Sequence, residues 1–190
     1  MTQSQRAAWF FTVLVTLVAF GLVVPQLPAL GDQTRTLDAD TEVGMATGSV
    51  VIPARWEVDI AATSQQTPVA SMGGVEVTIA DAAWLGGSSG LLDNVARLLF
   101  DGDAVVPEID TDDADAEGGE PSREVWQLTP SADAADDAPV WVDVVREGEG
   151  VALVVVRGDA AEAEVLTEQI DEIRDSITLD LSTVDVEVAA

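Results

Sequence analysis

The sequence predicts an α+β fold: an N-terminal transmembrane helix, then an antiparallel sheet with two packed helices. Three observations indicate this. An uncharged apolar run opens the chain, short segments of alternating apolar residues recur after it, and two amphipathic helical patterns interrupt those segments. Groups of strands separated by single helices favour an antiparallel sheet with helices on its faces over a parallel βαβ arrangement.

The N-terminal apolar run is close to the length of a bilayer-spanning helix. Residues 7–24 are all uncharged, and the apolar character continues to Leu30. Arg6 precedes the run, whereas every acidic residue follows it, so the positive-inside rule places the N-terminus in the cytoplasm. We therefore predict a cytoplasmic tail (1–6), a transmembrane signal anchor (7–30) and an extracytoplasmic remainder, as in a single-pass protein of the cell membrane.

A cleaved signal peptide is the alternative interpretation of the same run. Ala29 and Gly31 place small residues at the two positions that a signal peptidase reads. The run is longer than an ordinary signal-peptide core, and Pro25 and Pro28 follow it directly, which favours an uncleaved anchor. Cleavage near Gly31 would instead release a secreted soluble domain that binds a divalent cation or a small ligand.

The amino-acid composition excludes several kinds of catalytic group and of binding partner. The chain has no cysteine, histidine or lysine, which excludes disulfides, thiolate nucleophiles and imidazole catalysis. After residue 31, seven arginines stand against 35 acids, a net charge of −28. This charge excludes nucleic acid and repels anionic lipid, so the expected membrane contact is residues 7–30. Cations, basic envelope proteins and neutral ligands remain as partners, and a solvated surface without any partner is the simpler explanation of the acidity.

The exported part is predicted to begin with a polar linker (31–47), followed by an α+β domain (48–181). A strand over residues 49–52 ends at Pro53, and a second strand runs from Trp56 to about residue 62. Gly73 and Gly74 mark the turn of a hairpin, since alternating apolar residues follow them. An amphipathic helix capped by Ser88 or Ser89 then extends to about residue 100, and an acidic loop covers residues 101–120.

Three strands and a helix complete the predicted domain. Strands are expected at 123–130, 140–145 and 151–157, and the last is apolar on both faces, so it should be central and covered on both sides. Asp159 and Glu162 form a capping box at the start of the final helix. One apolar stripe follows that helix, formed by Leu166, Ile170, Ile173 and Ile177. Residues 182–190 are predicted to be a frayed tail.

Two segments carry a resemblance to a known family. With the N-terminal apolar run and the middle helix, "VVIPARWEV" and "VVVRGDAAEAEVLTEQIDEIRDSI" resemble small exported actinobacterial proteins that have a PsbP-like α/β/α sandwich. The resemblance spans about residues 48–181 and implies a non-catalytic accessory domain that faces a partner. Such proteins commonly have glycine before the tryptophan, whereas this chain has Arg55. The resemblance supplies no catalytic residues.

A calcium-loop spacing lies in the acidic stretch "DADAEGGEPSRE". Calcium takes six to eight oxygen ligands, and its best-known loop has a glycine at position 6 and a bidentate glutamate at position 12. Gly118 stands at position 6, and the candidate ligands are Asp113, Asp115, Glu117 and Glu124. Glu120 and Pro121 do not fit that loop, and no helix is predicted on either side, so the simpler interpretation is a solvated acidic loop.

No enzyme activity is expected from this sequence. Paired carboxylates can hydrolyse glycosides, but they need a cleft with shifted pKa values, and the acids here cluster in loops and on an outer helix face. Among the tryptophans, Trp84 between "ADA" and "LGG" is the one expected on a partner surface. We therefore expect a structural or partner-binding domain at the cell envelope, without a cofactor.

Overall fold

The computed structural model describes residues 34–63, 65–108, 123–135 and 138–180. The predicted anchor, most of the acidic loop and the predicted tail lie outside these residues. Eleven strands and four helices are present in the described ranges: β1 (Thr34–Thr36), β2 (Thr41–Gly44), β3 (Gly48–Ile52), β4 (Glu57–Asp59), α1 (Ile60–Thr63), β5 (Val69–Met72), β6 (Val75–Ala83), α2 (Ser88–Leu99), β7 (Ala104–Val105), β8 (Arg123–Pro130), β9 (Trp141–Glu147), β10 (Gly150–Arg157), α3 (Ala160–Val165), α4 (Thr167–Asp175) and β11 (Thr178–Leu179).

The strands form one large and one small antiparallel sheet. The large sheet has eight strands in the order β1-β4-β5-β6-β10-β9-β8-β7, and the small sheet has the order β11-β3-β2. The α+β prediction with a large antiparallel sheet is confirmed. In the described part of the chain, no helix is long and apolar enough to span a bilayer.

Both faces of the large sheet are covered. On the first face, α3, α4 and the small sheet pack over residues such as Ile79 and Val154. On the second face, α2 packs over Leu128, Val142 and Leu153. Strand β10 is therefore central and buried on both sides, as its continuous apolar run predicts.

The predicted linker over 31–47 is corrected by the structure. Strands β1 and β2 lie in this range, with β1 paired to β4 and β2 paired to β3. Leu37, Val43 and Met45 are buried in the first-face core. Both strands are short and mostly exposed, so they lack the alternation by which a strand is recognised in a sequence.

Other predicted boundaries also change. The strand expected to run through residues 60–62 ends at Asp59, because its Oδ1 accepts hydrogen bonds from the backbone N–H groups of Ala61 and Ala62 and so starts α1. The middle helix was predicted to have Ser88 or Ser89 as its N-cap, but Ser88 is already its first residue, and the N-cap is Gly87, without a side-chain cap bond.

The final helix is divided in two at Leu166. Asp159 caps α3 as predicted, since its side chain accepts from the N–H groups of Ala161 and Glu162. The Thr167 hydroxyl donates to the carbonyl oxygens of Ala163 and Glu164, and such bonds compete with regular helical bonding. The predicted stripe survives the break, because all four of its residues are buried: Leu166, Ile170, Ile173 and Ile177.

The hairpin turn at Gly73 and Gly74 and the turn at Arg55 place residues in the left-handed region. Gly73 and Gly74, with φ of 60° and 84°, form the predicted turn between β5 and β6, and positive φ at both residues is typical of tight hairpins. Arg55, before Trp56, has φ of 76°. Its N–H donates to the Leu37 carbonyl oxygen at 2.9 Å, so a backbone bond holds the strained residue in place.

Arg55→Gly should stabilise the domain. Glycine adopts positive φ without the cost of about 1 to 2 kcal/mol that other residues carry, and the higher entropy of its unfolded chain offsets part of this gain. We expect the free energy of unfolding, measured by urea titration, to rise by about 0.5 to 1 kcal/mol. Arg55→Ala is the control, since it removes the guanidinium but keeps the strain. An equal gain from alanine would show that charge, not backbone strain, is responsible.

Candidate functional site

Three of the four calcium candidates, Asp113, Asp115 and Glu117, lie outside the described residues. The fourth, Glu124, lies near the start of β8, and its Oε2 accepts a hydrogen bond from the Ser88 hydroxyl at 3.4 Å. No group of three or more acidic residues that could hold a metal ion is present in residues 34–63, 65–108, 123–135 and 138–180. The calcium site therefore stays a prediction.

The Glu124 environment is organised by a neighbouring arginine. Arg146 Nη1 donates to the Ser88 hydroxyl at 2.6 Å, Nη2 donates to the Gly86 carbonyl oxygen at 3.3 Å, and Nε donates to the Gly148 carbonyl oxygen at 3.0 Å. The guanidinium thus fastens the end of β9 to the first residues of α2. Ser88 bonds both Arg146 and Glu124, so this carboxylate is already part of a protein network.

A buried carboxylate, Asp143, forms the polar centre of the first face. It is fully buried on β9 and accepts hydrogen bonds from Gln127 Nε2 at 3.0 Å and Trp141 Nε1 at 3.3 Å. Arg174 on α4 lies close enough to attract it, and that guanidinium also bonds Asp171 at 2.7 Å and Asp175 at 2.9 Å. The cluster joins β8, β9 and the last turn of α4.

Burial raises the pKa of Asp143 above its ordinary value of 3.8, although the Gln127 hydrogen bond and the Arg174 charge counteract part of the rise. Asp171 adds to the rise, because a second negative charge disfavours ionisation. The folded state consequently binds this proton more tightly than the unfolded state does. The ionised form lowers stability above the folded pKa, and this cost disappears as the pH falls from the folded pKa towards 3.8.

Asp143→Asn should therefore reduce the pH dependence of stability. We expect the wild-type free energy of unfolding to rise on acidification through the folded pKa of Asp143, and the variant to show a smaller rise over the same interval. Urea titrations at a series of pH values measure this difference. Glu168→Gln, on the exposed face of α4, is the control for general relief of charge repulsion. Parallel profiles of unfolding free energy against pH for wild type and Asp143→Asn would contradict a contribution of Asp143 to the pH dependence.

A second buried carboxylate, Asp81, fastens the small sheet to the large one. It is 4% exposed on β6 and accepts hydrogen bonds from the N–H groups of Ala46 and Thr47, and from the Thr47 hydroxyl at 2.6 Å. Residues 45–47 connect β2 to β3. The Thr47 carbonyl oxygen also accepts from the Asp180 N–H, which holds the end of β11 at the same place.

The two buried carboxylates are not placed as a catalytic pair. Asp143 aligns with Val154 and Ile79 across the sheet, and Asp81 lies two residues further along β6. Strand spacing and rise place the two backbone positions roughly 12 Å apart, whereas the carboxyl groups themselves lie about 5 to 9.5 Å apart in glycoside hydrolases. Each carboxylate bonds its own neighbours, so the geometry favours structural roles for both.

Trp84, the tryptophan expected on a partner surface, is half-buried. Its ring packs against the α2 core and close to Gly86, and its Nε1 donates to the Gly87 carbonyl oxygen at 3.2 Å. The neighbouring Leu85 is 55% exposed. Trp84 therefore shapes the turn before α2, and Leu85 provides the exposed apolar side chain at this corner.

The surface of α3 and α4 is strongly acidic. Four of the acids on these helices are exposed, as the sequence predicts: Glu164, Glu168, Glu172 and Asp175. Asp171 is half-exposed.

A cavity of about 180 Å³ lies beside the C-terminal end of α2, next to Phe100, Asp101 and Arg157. Ligand pockets usually enclose about 300 to 1,000 Å³, so this cavity is small for a metabolite.

Comparisons with protein families, curated proteins and solved structures found no match to this chain. The resemblance to PsbP-like sandwiches therefore stays a prediction.

Proposed function

We propose that this protein is a single-pass membrane-anchored extracytoplasmic domain with a non-catalytic structural or partner-binding role at the cell envelope. The observation that carries the proposal is the run of eighteen uncharged residues at 7–24, which precedes a folded domain containing nearly all of the charge. Such a run has the length of a membrane span, and Arg6 on its N-terminal side favours a cytoplasmic N-terminus.

The polar interior supports a non-catalytic role. Asp81 bonds Thr47 in the connection between β2 and β3, whereas Asp143 bonds Gln127 and attracts the Arg174 guanidinium of α4. Arg123 has a similar part, because its guanidinium donates to the carbonyl oxygens of Ile177 at 2.6 Å and Arg174 at 2.7 Å. These groups connect elements of the fold and leave the exposed acids of α3 and α4 as a surface for a basic partner.

A charge placed in the apolar run tests the anchor. Leu17→Arg should release the protein from the membrane fraction or block its export, because an arginine at the centre of a span costs about 2.5 to 3.5 kcal/mol. Gln5→Arg is the matched control, since it adds the same charge on the cytoplasmic side. A reporter fused after Ala190 should be active only outside the cytoplasm. A mature chain that begins at Asp32 would instead establish cleavage and overturn the anchor.

Carboxyl-to-amine crosslinking in intact envelopes tests the partner-binding role. The chain has no lysine, so a carbodiimide cannot join its carboxylates to lysine side chains of its own chain. We expect crosslinks to a lysine-rich protein, and we expect Glu168→Gln with Glu172→Gln to weaken them more than Asp93→Asn on α2 does. Equal weakening by both sets of changes would contradict a specific role for the α4 surface.

A further inference from the structure

One edge strand of the large sheet follows the proposed membrane span closely in the sequence. The first described residue, Thr34, belongs to β1, which is the edge strand next to β4. The chain from Leu30 to Thr34 covers at most about 14 Å when fully extended. If residues 7–30 cross the bilayer, the start of β1 must therefore lie close to the membrane surface.

Helix α1 lies beside the start of β1. Thr34 pairs with Asp59, and α1 begins at the next residue, Ile60. The Asp59 carboxylate caps this helix with hydrogen bonds of 2.8 and 3.0 Å to the N–H groups of Ala61 and Ala62. Ile60 is 43% exposed at this position. The turn after the helix continues the same region and exposes Gln65 and Gln66.

This region is also the least charged part of the domain sequence. Residues 60–75 contain no charged residue, and this is the longest uncharged run after residue 31 in a segment with a net charge of −28. Anionic lipid repels acidic protein surfaces, and the repulsion acts over a Debye length of about 10 Å at moderate salt. Helix α1 and residues 65–67 add no charge, and Asp59 is the acid directly beside them, so this surface can approach the bilayer at a lower electrostatic cost than the α4 surface, which carries several exposed acids.

We infer that the surface formed by α1 and residues 65–67, here called the α1 surface, faces the lipid bilayer. This inference rests on the proposed anchoring by residues 7–30 and adds an orientation to it. The large sheet then meets the membrane through its β1–β4 edge, and the edge formed by β7 and β8 points away. Seven strand spacings separate β1 from β7, which corresponds to roughly 33 Å.

Single-cysteine labelling tests this orientation in the full-length protein. Because the native chain has no cysteine, one introduced thiol takes the only fluorescent label. Gln65→Cys reports on the α1 surface, and Ala132→Cys, also exposed and uncharged, is the matched control beyond the end of β8. Each variant is reconstituted in phosphatidylcholine vesicles that contain a headgroup spin-labelled lipid. We expect several-fold stronger quenching at residue 65, after both variants show the urea midpoint of the parent.

Each result has a separate meaning. Equal quenching at the two sites, or stronger quenching at residue 132, would overturn the orientation even if the protein stays bound to the vesicles. Protein that does not sediment with the vesicles would overturn the anchoring proposal, and the orientation with it. Stronger quenching at residue 65 with bound protein would support both.

Discussion

Asp81→Ala is expected to lower the free energy of unfolding by about 3 kcal/mol, because it leaves several buried polar groups without a partner. Thr47 is 6% exposed, and both its N–H and its hydroxyl donate to Asp81. The Ala46 N–H donates to the other carboxylate oxygen at 3.3 Å. Water has little access to replace this acceptor, so most of the desolvation cost of the unpaired donors should appear as a loss in the free energy of unfolding.

Urea titration measures the stability loss, and hydrogen exchange locates it. The amides of Ala46 and Thr47 should lose protection first, since Asp81 is their acceptor. Asp93→Ala on the exposed face of α2 removes the same charge from the surface and should change stability by less than about 0.5 kcal/mol. Equal losses for the two variants would mean that general charge, and not the connection between the sheets, determines the effect.

The sequence pattern around Asp81 shows that a buried carboxylate can be recognised without the structure. Val75, Val77, Ile79 and Asp81 alternate along β6, so an acid occupies a position whose neighbours belong to the core. Asp143 likewise follows Val142 and precedes Val144 in β9. An acid within an apolar strand is a usable signal for a buried polar group. Its partners are not predictable from such a pattern, because Thr47 and Arg174 come from distant segments.

Elements with a clear apolar pattern, either continuous or periodic, were the predictable part of the fold. The apolar run of β10 and the stripe of α4 each determine which side chains are buried, so their positions follow from the sequence. Strand β8 was also predicted at its observed bounds. By contrast, β1 and β2 are three and four residues long, and tertiary pairing rather than local pattern makes them strands. The linker prediction failed for this reason.

Trp56→Ala is expected to have the largest effect on stability, a loss of about 4 kcal/mol. Trp56 is fully buried and is the largest such side chain in the described part of the protein. It lies just before β4, packs in the first-face core, and donates from Nε1 to Gln169 Oε1 on α4 at 3.2 Å. Removing it would leave a cavity between the large sheet and the final helix, where several elements meet and collapse is difficult.

Two further variants separate the causes of this loss. Trp56→Phe keeps much of the buried ring but removes the hydrogen bond to Gln169, and we expect it to cost about 1 to 2 kcal/mol. Trp126→Ala, at a half-buried position on β8, should cost about 2 kcal/mol, because less apolar area leaves water there on folding. Urea titrations of the three variants rank their losses in the free energy of unfolding. If Trp126→Ala proved the most damaging, the α2 side of the sheet rather than the α4 side would hold the more important core. The segment "VVIPARWEV" contains both Arg55 and Trp56. Arg55→Gly is expected to raise the free energy of unfolding and Trp56→Ala to lower it. Together, the two substitutions test whether this segment has a strained backbone that its buried tryptophan holds in place.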